Sequence, residues 1–193
     1  MSVISAFRLG DEPLILASAS PRRAQMLREA GIPFVVIPAD IDEHRIHAES
    51  TAELPERIAL AKAESIARLH PYRLILAADT IVCLGDVIFG KPRDMADAVH
   101  TLQQLSGKTH QVITGVALLQ GNRRECWDAV SDVTFKTLTL AEIQAYFALV
   151  NPLDKAGAYA IQEHGEMIIS AITGLRSNIV GLPIEEVLAR IAR

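Results

Sequence analysis

The chain has 193 residues, of which 50% are hydrophobic and 22% are charged, and a formal net charge of −4. This composition is ordinary for a globular protein, and the length suffices for one compact domain covering residues 1–193. The negative balance argues against broad binding to nucleic acids or anionic membranes. No apolar run is long enough to cross a bilayer, and residues 1–10 lack the pattern of a secretory signal, so a cytoplasmic location is predicted. The two cysteines, Cys83 and Cys126, show no metal or redox spacing and are expected to be buried thiols.

Residues 14–27 predict a short strand, a tight turn and a helix. Residues 14–17 are apolar and typical of a buried strand, and the small residues that follow, including Ser18, allow a backbone to approach a ligand closely. Ser20 is a favourable residue for a helix cap, and Pro21 suits the first helical position. A helix is therefore expected from Pro21 to about residue 30.

The first turn of this helix carries two adjacent arginines, Arg22 and Arg23. Cations are unfavourable at a helix N-terminus unless a negative group offsets them, because the helix dipole is already positive there. Backbone N–H groups and the forked donors of arginine both match phosphate oxygens. The pattern indicates a phosphate-binding strand, turn and helix rather than a pair of solvated arginines.

The remaining elements alternate between strands and helices. Strands are expected at residues 34–37, 74–84, 87–89, 109–119, 126–138 and 167–172. Helices are expected from about residue 50 or 51 to 69, from Asp94 to residue 105, from Thr139 to about 150, and from Pro183 to the end. For the first of these, Pro55 is an alternative start. Because parallel units and an antiparallel hairpin coexist, the predicted fold is α/β with a mixed sheet flanked by helices.

Asp79 interrupts the most apolar of these strands, with Thr80 directly after it. A charged carboxylate in a buried strand costs several kcal/mol unless it is paired, hydrogen-bonded or bound to a metal. A functional carboxylate is therefore predicted. The structural alternative is that it caps a neighbouring loop or pairs with a structural lysine.

Three other sets of polar residues are candidates for the site, and the first two allow two interpretations each. Asp40, Asp42 and Glu43 are suitable ligands for Mg²⁺ or Mn²⁺, and equally suit an ordinary polar loop. Lys62 lies near the apolar side of a predicted helix, where it either extends along the surface or reaches a phosphate. Lys91 stands between a glycine and a proline, an arrangement that directs its side chain.

Two other classes of site are excluded by pattern. Residues 106–110 resemble part of a phosphate loop, but the complete motif is missing. Ser18 and Ser20 lack the glycine-flanked elbow of a serine hydrolase.

Eight short blocks, in order along most of the chain, resemble the Maf family of nucleotide pyrophosphatases. They are Leu-Ala-Ser-Ala-Ser-Pro-Arg-Arg (16–23), Asp-Glu (42–43), Ala-Asp-Thr-Ile-Val (78–82), Gly-Lys-Pro (90–92), Leu-Ser-Gly-Lys-Thr-His (105–110), Thr-Gly (114–115), Asp-Lys-Ala-Gly-Ala-Tyr-Ala-Ile-Gln (154–162) and Val-Gly-Leu-Pro (180–183). Any one block alone would be a weak signal, whereas together they are highly specific.

This resemblance implies an enzyme that hydrolyses a nucleoside triphosphate to its monophosphate and pyrophosphate with a divalent cation, Mg²⁺ or Mn²⁺. It also implies a mixed α/β fold similar to that of inosine-triphosphate pyrophosphatases, with a cleft between two lobes. The expected partners are the nucleotide substrate and, in a homodimer, a second copy of the chain.

The resemblance also assigns roles to individual residues. Asp79 matches the proton acceptor of the family, and Glu43 and Asp79 are the implied metal ligands. Polar positions around the phosphates and the metal are matched by Ser18, Arg22, Arg23, Glu43, Lys62 and Lys91. Positions linked to substrate choice are matched by Arg22, Thr80 and Gln162.

The Asp-Thr pair at 79–80 and the block at 154–162 resemble the subgroup acting on dTTP and UTP. The alternative subgroup acts on 7-methyl-GTP and tends to carry Asp-Gln at the first place.

A nucleotide-binding regulator that inhibits cell division is a further alternative. A central carboxylate beside other acids argues against a pure binder, because a site that only holds a triphosphate gains little from added negative charge. House-cleaning of modified nucleotides and control of pyrimidine pools are both compatible with the same catalytic site.

Overall fold

The computed structural model describes residues 7–9 and 12–192. Its strands are β1 (Phe7–Arg8), β2 (Leu14–Leu16), β3 (Phe34–Val36), β4 (Ile75–Leu84), β5 (Val87–Phe89), β6 (Thr109–Gln120), β7 (Arg123–Phe135), β8 (Ile169–Thr173) and β9 (Ile191–Ala192). Its helices are α1 (Pro21–Glu29), α2 (Leu54–Ala67), α3 (Met95–Leu105), α4 (Leu140–Phe147), α5 (Arg176–Val180) and α6 (Ile184–Arg190). None of the helices within these ranges is long and apolar enough to span a membrane.

Seven of these strands form one mixed sheet. The strand order is β3-β2-β4-β6-β7-β8, and β5 pairs with β4 off this path. Strand β2 pairs in parallel with β3 and β4, whereas the β4–β5 and β7–β8 pairs are antiparallel. Strands β1 and β9 form a separate parallel pair. The mixed α/β class predicted from the sequence is confirmed.

The chain groups into two compact units that alternate along the sequence. The first unit comprises the chain up to Asp79, Thr114–Asp128 and the chain from Gly181 onward, and the second comprises Thr80–Ile113 and Ala129–Val180. Each unit has its own apolar core. Large buried side chains of the first include Phe7, Leu14, Leu16, Leu27 and Leu76, and those of the second include Leu102, Leu105, Phe135 and Tyr146.

The strand, turn and helix predicted at the start of the chain are present. All three residues of β2 are buried, as expected for a strand hydrogen-bonded on both sides. Helix α1 begins at Pro21 as predicted and ends at Glu29, with Arg28 in its last turn. Ser20 takes the extended conformation of a cap residue, but its side chain makes no capping hydrogen bond. The backbone of this turn, rather than the Ser20 hydroxyl, therefore sets where the helix starts.

Helix α2 ends two residues earlier than predicted, and its start lies within one residue of the alternative at Pro55. It begins at Leu54, so that Pro55 lies in its first turn, and it ends at Ala67. The buried face consists of Pro55, Ile58, Ala59, Ala63 and Ile66. Leu69, the last residue of the predicted helix, lies beyond its end and is 74% exposed.

The first turn of α2 packs against β6 at Gly115. A Cβ atom on Gly115 would lie 2.1 Å from the Glu56 nitrogen and 2.2 Å from the Pro55 carbonyl carbon. Both neighbouring atoms are backbone atoms, so they cannot move aside as a flexible side chain would. The absence of a side chain at Gly115 therefore sets how closely α2 approaches the sheet.

The hairpin of β6 and β7 has a shorter turn than predicted, because β7 is shifted by three residues toward the N-terminus. Strand β7 was expected from residue 126 to 138, whereas it begins at Arg123 and ends at Phe135. Arg123 stacks on the Phe7 ring at 3.9 Å, and Arg124 pairs with Glu64 at 2.6 Å. These contacts stabilise Arg123 and Arg124 within the strand. Their polar character alone had suggested that they belong to the loop before it.

The C-terminal segment differs from its prediction. The last helix was expected to continue to the chain end, but α6 stops at Arg190 and β9 follows. Strand β9 pairs with β1 through the register Phe7 to Ile191. The short helix α5, at Arg176–Val180, was not predicted. Pairing of β9 with β1, a strand distant in sequence, ends the last helix, so the local sequence does not predict this end.

The cysteines follow the prediction in part. Cys83 is buried, whereas Cys126 is only half-buried, and both are free thiols. Burial and, secondarily, the charge of Asp86 raise the pKa of Cys83. Burial, followed by the charge of Glu56, raises the pKa of Cys126 to about 11. Both side chains are therefore protonated thiols at neutral pH.

Replacing Gly115 by alanine should destabilise the protein strongly, because the new methyl group overlaps the backbone of α2. We expect a loss of about 3 kcal/mol in the free energy of unfolding, or a fall of about 6–12 °C in the melting temperature. The matched control is Gly90→Ala, because Gly90 has no atom within 4 Å of an added Cβ and no left-handed backbone. That control should change the melting temperature by less than about 2 °C. Equal melting temperatures for the two variants would contradict the close contact.

Candidate active site

Asp79 lies in β4 as its sequence position predicted; residues 75–78 before it are buried, and the half-buried Thr80 separates it from the buried residues 81–83. Its side chain is 15% exposed. The Lys62 ammonium, from the third turn of α2, donates a hydrogen bond to Asp79 Oδ1 at 2.7 Å. The carboxylate that interrupts the apolar strand is therefore paired with a lysine that is itself only 13% exposed.

Glu43 provides a second carboxylate to the same ammonium. The Lys62 Nζ atom lies 2.7 Å from Glu43 Oε1, the same distance that separates it from Asp79. Glu43 begins a 3₁₀ turn, Glu43–Arg45, and its side chain is 48% exposed. Lys62 thus bridges two carboxylates, one from a strand and one from a loop.

The other acids of this loop have separate roles. Asp42 is the cap residue of the 3₁₀ turn and accepts a hydrogen bond from the His44 N–H at 3.3 Å. It also pairs with Arg45 at 3.1 Å. Asp40 is exposed. Asp42 thus makes the contacts of an ordinary polar loop residue.

The surroundings of Asp79 have opposing effects on the pKa of its carboxyl group. Burial raises the pKa of the Asp79 carboxyl, while the charge and hydrogen bond of Lys62, and then the charge of Arg23, lower it. The charge of Glu43 raises this pKa further. The net effect is a raised pKa, so the Asp79 carboxylate is more basic than that of an ordinary aspartate.

Arg23 is the buried member of the arginine pair, with 8% of its surface exposed. Its Nε donates to the Gly181 carbonyl at 2.7 Å, and its Nη1 donates to Ser18 Oγ at 3.0 Å. Burial lowers the pKa of Arg23, and the charge of Asp79 opposes that effect. Arg23 is therefore fixed in orientation rather than solvated.

Ser18 connects this arginine to the turn before α1. Its oxygen accepts hydrogen bonds from Arg23 and from the Ser20 N–H, the latter at 3.3 Å. Both contacts use the oxygen as an acceptor, so the hydroxyl hydrogen is left to donate to a further acceptor. Arg22, one residue before Arg23, is half-buried. The turn thus presents donors, as an anion site requires.

The carboxylate pair fits a hard divalent cation. Within residues 7–9 and 12–192, no group of three or more His, Cys, Asp or Glu side chains is arranged to hold a metal ion. Glu43 and Asp79 nevertheless converge on one cation, the Lys62 ammonium. Because Mg²⁺ commonly takes one or two carboxylates and completes its shell with water and substrate phosphates, this donor set suits a metal that binds together with a triphosphate.

Three residues predicted for the site belong to the second unit. Thr80 follows Asp79 directly in β4 and is half-buried. Lys91 is exposed and precedes the buried Pro92. Gln162 is exposed and follows the buried segment 157–161. All three carry polar groups that are accessible to solvent at least in part.

Sequence reasoning missed two polar contacts. The Gly181 carbonyl orients Arg23, and its only signal was its place in the block at 180–183. Lys155 is 4% exposed, and its ammonium donates to the Asn151 carbonyl and to Asp154 Oδ1, each at 2.8 Å. Its place in the block at 154–162 was noted without a role, since the sequence does not show that it is buried.

The sequence of this chain is similar to those of several known proteins. A family model described as "Maf-like protein" matches residues 13–193. The "dTTP/UTP pyrophosphatase" of Symbiobacterium thermophilum is 47% identical over 90% of this chain and 89% of its own length. The proteins of the same name from Myxococcus xanthus and Geotalea uraniireducens are each 46% identical, over 93% of this chain and 91% and 94% of their own lengths.

Among solved structures, the Ham1 protein of Staphylococcus aureus matches with a TM-score of 0.46 and 13% identity, over 80% of this chain and 90% of that chain. The sequence matches are far stronger, and they include every residue discussed in the site, from Ser18 to Gly181. Because one family model spans nearly the whole chain and several relatives exceed 40% identity, this chain belongs to the Maf family.

Proposed function

We propose that this protein is a nucleoside triphosphate pyrophosphatase that hydrolyses dTTP and UTP to the monophosphate and pyrophosphate. The relatives that bear the name dTTP/UTP pyrophosphatase support this substrate class. The observation that carries the proposal is the cluster of Asp79, Lys62 and Glu43, which joins a basic carboxylate to a cation in a partly buried site. Its position near the fixed donors Arg23 and Ser18 suits a polyphosphate substrate.

In the proposed reaction, Asp79 accepts a proton from the water that attacks the α-phosphorus. A new bond forms between the water oxygen and the α-phosphorus, and the bond from that phosphorus to the bridging oxygen of the β-phosphate breaks. Pyrophosphate leaves, and the proton from water is held on the Asp79 carboxyl. Burial raises the pKa of this carboxyl, which makes it a better base than an ordinary aspartate.

The cationic side chains stabilise the negative charge that develops on the phosphate oxygens. We assign this role to Arg22, Arg23, Lys62 and Lys91, with the Ser18 hydroxyl as an added donor. A charge about 4 Å from a phosphate oxygen contributes roughly 4 kcal/mol at an effective dielectric near 20. Because Arg23 is already held by Gly181 and Ser18, little reorganisation is needed when the substrate binds.

Glu43 and Asp79 would hold the divalent cation, Mg²⁺ or Mn²⁺. Bound there, the cation would neutralise phosphate charge and polarise a phosphoryl oxygen. Lys62 contacts both carboxylates, so its ammonium keeps them close together despite their like charge.

Selection of the base is assigned to Thr80 and Gln162, with Arg22 contributing. A hydroxyl and an amide each offer a donor and an acceptor, which match the polar edge of a pyrimidine. Such contacts discriminate well, because an unsuitable base leaves polar groups unpaired.

The proposal includes a cytoplasmic location, where nucleoside triphosphates are available as substrates. It also includes a homodimer, which the family resemblance implies.

The proposed activity predicts a clear product pattern. The purified protein should convert dTTP and UTP to monophosphate and pyrophosphate in the presence of Mg²⁺ or Mn²⁺, and should act more slowly on CTP and 7-methyl-GTP. Separation of the products by ion-exchange chromatography distinguishes this cleavage from loss of the terminal phosphate. Preference for 7-methyl-GTP would keep the reaction and contradict the roles of Thr80 and Gln162. Tight nucleotide binding without turnover would favour the regulator instead.

Asp79→Asn should reduce kcat by at least about a hundredfold, because the amide cannot accept the proton. The fold should persist, since asparagine has the same shape and needs no charged partner. The control is Asp132→Asn, because Asp132 is another half-buried strand aspartate and has no assigned role. Circular dichroism and thermal melting check the fold of both variants. Normal turnover by the Asp79 variant would refute its role as base.

Gln162→Ala should reduce discrimination between bases more than it weakens phosphate binding. We expect the ratio of kcat/KM for UTP over CTP to fall by about tenfold or more. Inhibition by pyrophosphate, which lacks a base, should change by less than about twofold. An unchanged ratio would show that another residue reads the base.

A further inference from the structure

The loop that carries Gln162 has an unusual backbone. Gly157 has a φ of +69°, and the next residue, Ala158, has a φ of +63° although it carries a side chain. A non-glycine residue in the left-handed region costs about 1 kcal/mol or more and persists only where its surroundings enforce it. A Cβ atom on Gly157 would also lie 3.0 Å from the Val82 side chain. This loop is therefore held in one strained conformation by its contacts.

Several hydrogen bonds to the loop enforce that conformation. The Tyr146 hydroxyl accepts from the Ala160 N–H at 3.1 Å and donates to the Ala160 carbonyl at 3.3 Å. The Gly157 N–H donates to the Gly90 carbonyl at 3.1 Å. The loop backbone is thus fixed before and after residue 159.

The contact at residue 159 itself joins two buried polar side chains. The Tyr159 hydroxyl lies 2.8 Å from His110 Nε2, in β6. His110 is 1% exposed and Tyr159 is 6% exposed. The Phe135 ring packs against both of them at right angles, with centroids 4.8 Å and 4.9 Å away. Burial lowers the pKa of His110 to about 4, so its ring is neutral at physiological pH.

Stability alone does not account for this pair. The Nδ1 atom of His110 is buried and has no hydrogen-bond partner among residues 7–9 and 12–192. A buried ring nitrogen without a partner lowers stability, whereas replacing both members of a buried polar pair by apolar groups of the same shape is often neutral or stabilising. Two phenylalanines would pack against Phe135 without an unpaired nitrogen, although the ring at position 110 would be somewhat larger than the imidazole that it replaces. The polar pair therefore needs a reason other than packing.

We propose that His110 is a positioning residue for base selection, which acts through its hydrogen bond to Tyr159. The bond fixes where Tyr159 lies and so sets the path of the chain to Gln162, three residues later. The segment 157–161 is buried whereas Gln162 is exposed, so the position of Gln162 depends on how this segment packs against its neighbours. This inference rests on the proposed role of Gln162 in reading the base.

The decisive variant is the double substitution His110→Phe with Tyr159→Phe, which keeps the aromatic packing and removes the hydrogen bond. Its melting temperature should equal or exceed that of the wild type. Hydrogen–deuterium exchange of the amides of residues 158–162 should be faster by at least about fivefold, because the loop is less firmly held. The ratio of kcat/KM for UTP over CTP should fall by at least about fivefold, through a lower value for UTP.

Two further variants separate positioning from general destabilisation. Tyr159→Phe alone removes the partner of His110 Nε2, so that neither ring nitrogen has one; its melting temperature should fall by about 3–6 °C, and its base discrimination should fall as in the double variant. Ser131→Ala removes hydrogen bonds to Leu175 and Asn178, neither of which belongs to the segment 157–162. It should lower the melting temperature while leaving the UTP to CTP ratio unchanged.

The outcomes distinguish this inference from the proposed function. A wild-type protein without selective pyrimidine turnover would refute the function itself. Selective wild-type turnover with an unchanged ratio in the stable double variant would refute the role of His110 alone. Unchanged exchange at residues 158–162 would refute it as well, whatever the kinetics show.

Discussion

The candidate site depends on one ionic arrangement, in which the Lys62 ammonium lies 2.7 Å from both Glu43 and Asp79. Two carboxylates this close would repel each other in a partly buried environment, and the lysine offsets that repulsion. The same arrangement explains why a carboxylate is tolerated in the most apolar strand of the protein. The conditions that hold a basic carboxylate in place are also those that would hold a divalent cation beside a triphosphate.

Contacts between backbone atoms determine where that lysine lies. Lys62 belongs to α2, and the first turn of α2 sits against Gly115, where an added methyl group would overlap backbone atoms. Asp79 belongs to β4, which β2 flanks in parallel. Strand β2 in turn leads to the turn where Ser18 and Arg23 are joined by a hydrogen bond. One glycine and one buried strand thus control the geometry of the polar site.

The loop before Gln162, in contrast, contains features that lower the stability of the fold. Its left-handed Ala158 and the buried, partly unpaired ring of His110 each lower stability. Contacts with Tyr146, Gly90 and Phe135 hold the segment in place despite these costs. Such costs are not expected where stability alone matters, and they fit a demand for precise position.

The sequence alone determined the elements that have local signals. Helix α1 starts at Pro21, Asp94 caps α3, and Thr139 with Glu142 forms the capping box of α4, because caps act within a few residues. It also identified Asp79, since a lone charge in an apolar strand requires a partner. It did not identify that partner: Lys62 had two possible roles, and only the folded chain brings it to Glu43 and Asp79. The end of α6, the start of β7 and the burial of His110 were likewise decided by the tertiary structure, because each depends on contacts with residues distant in sequence.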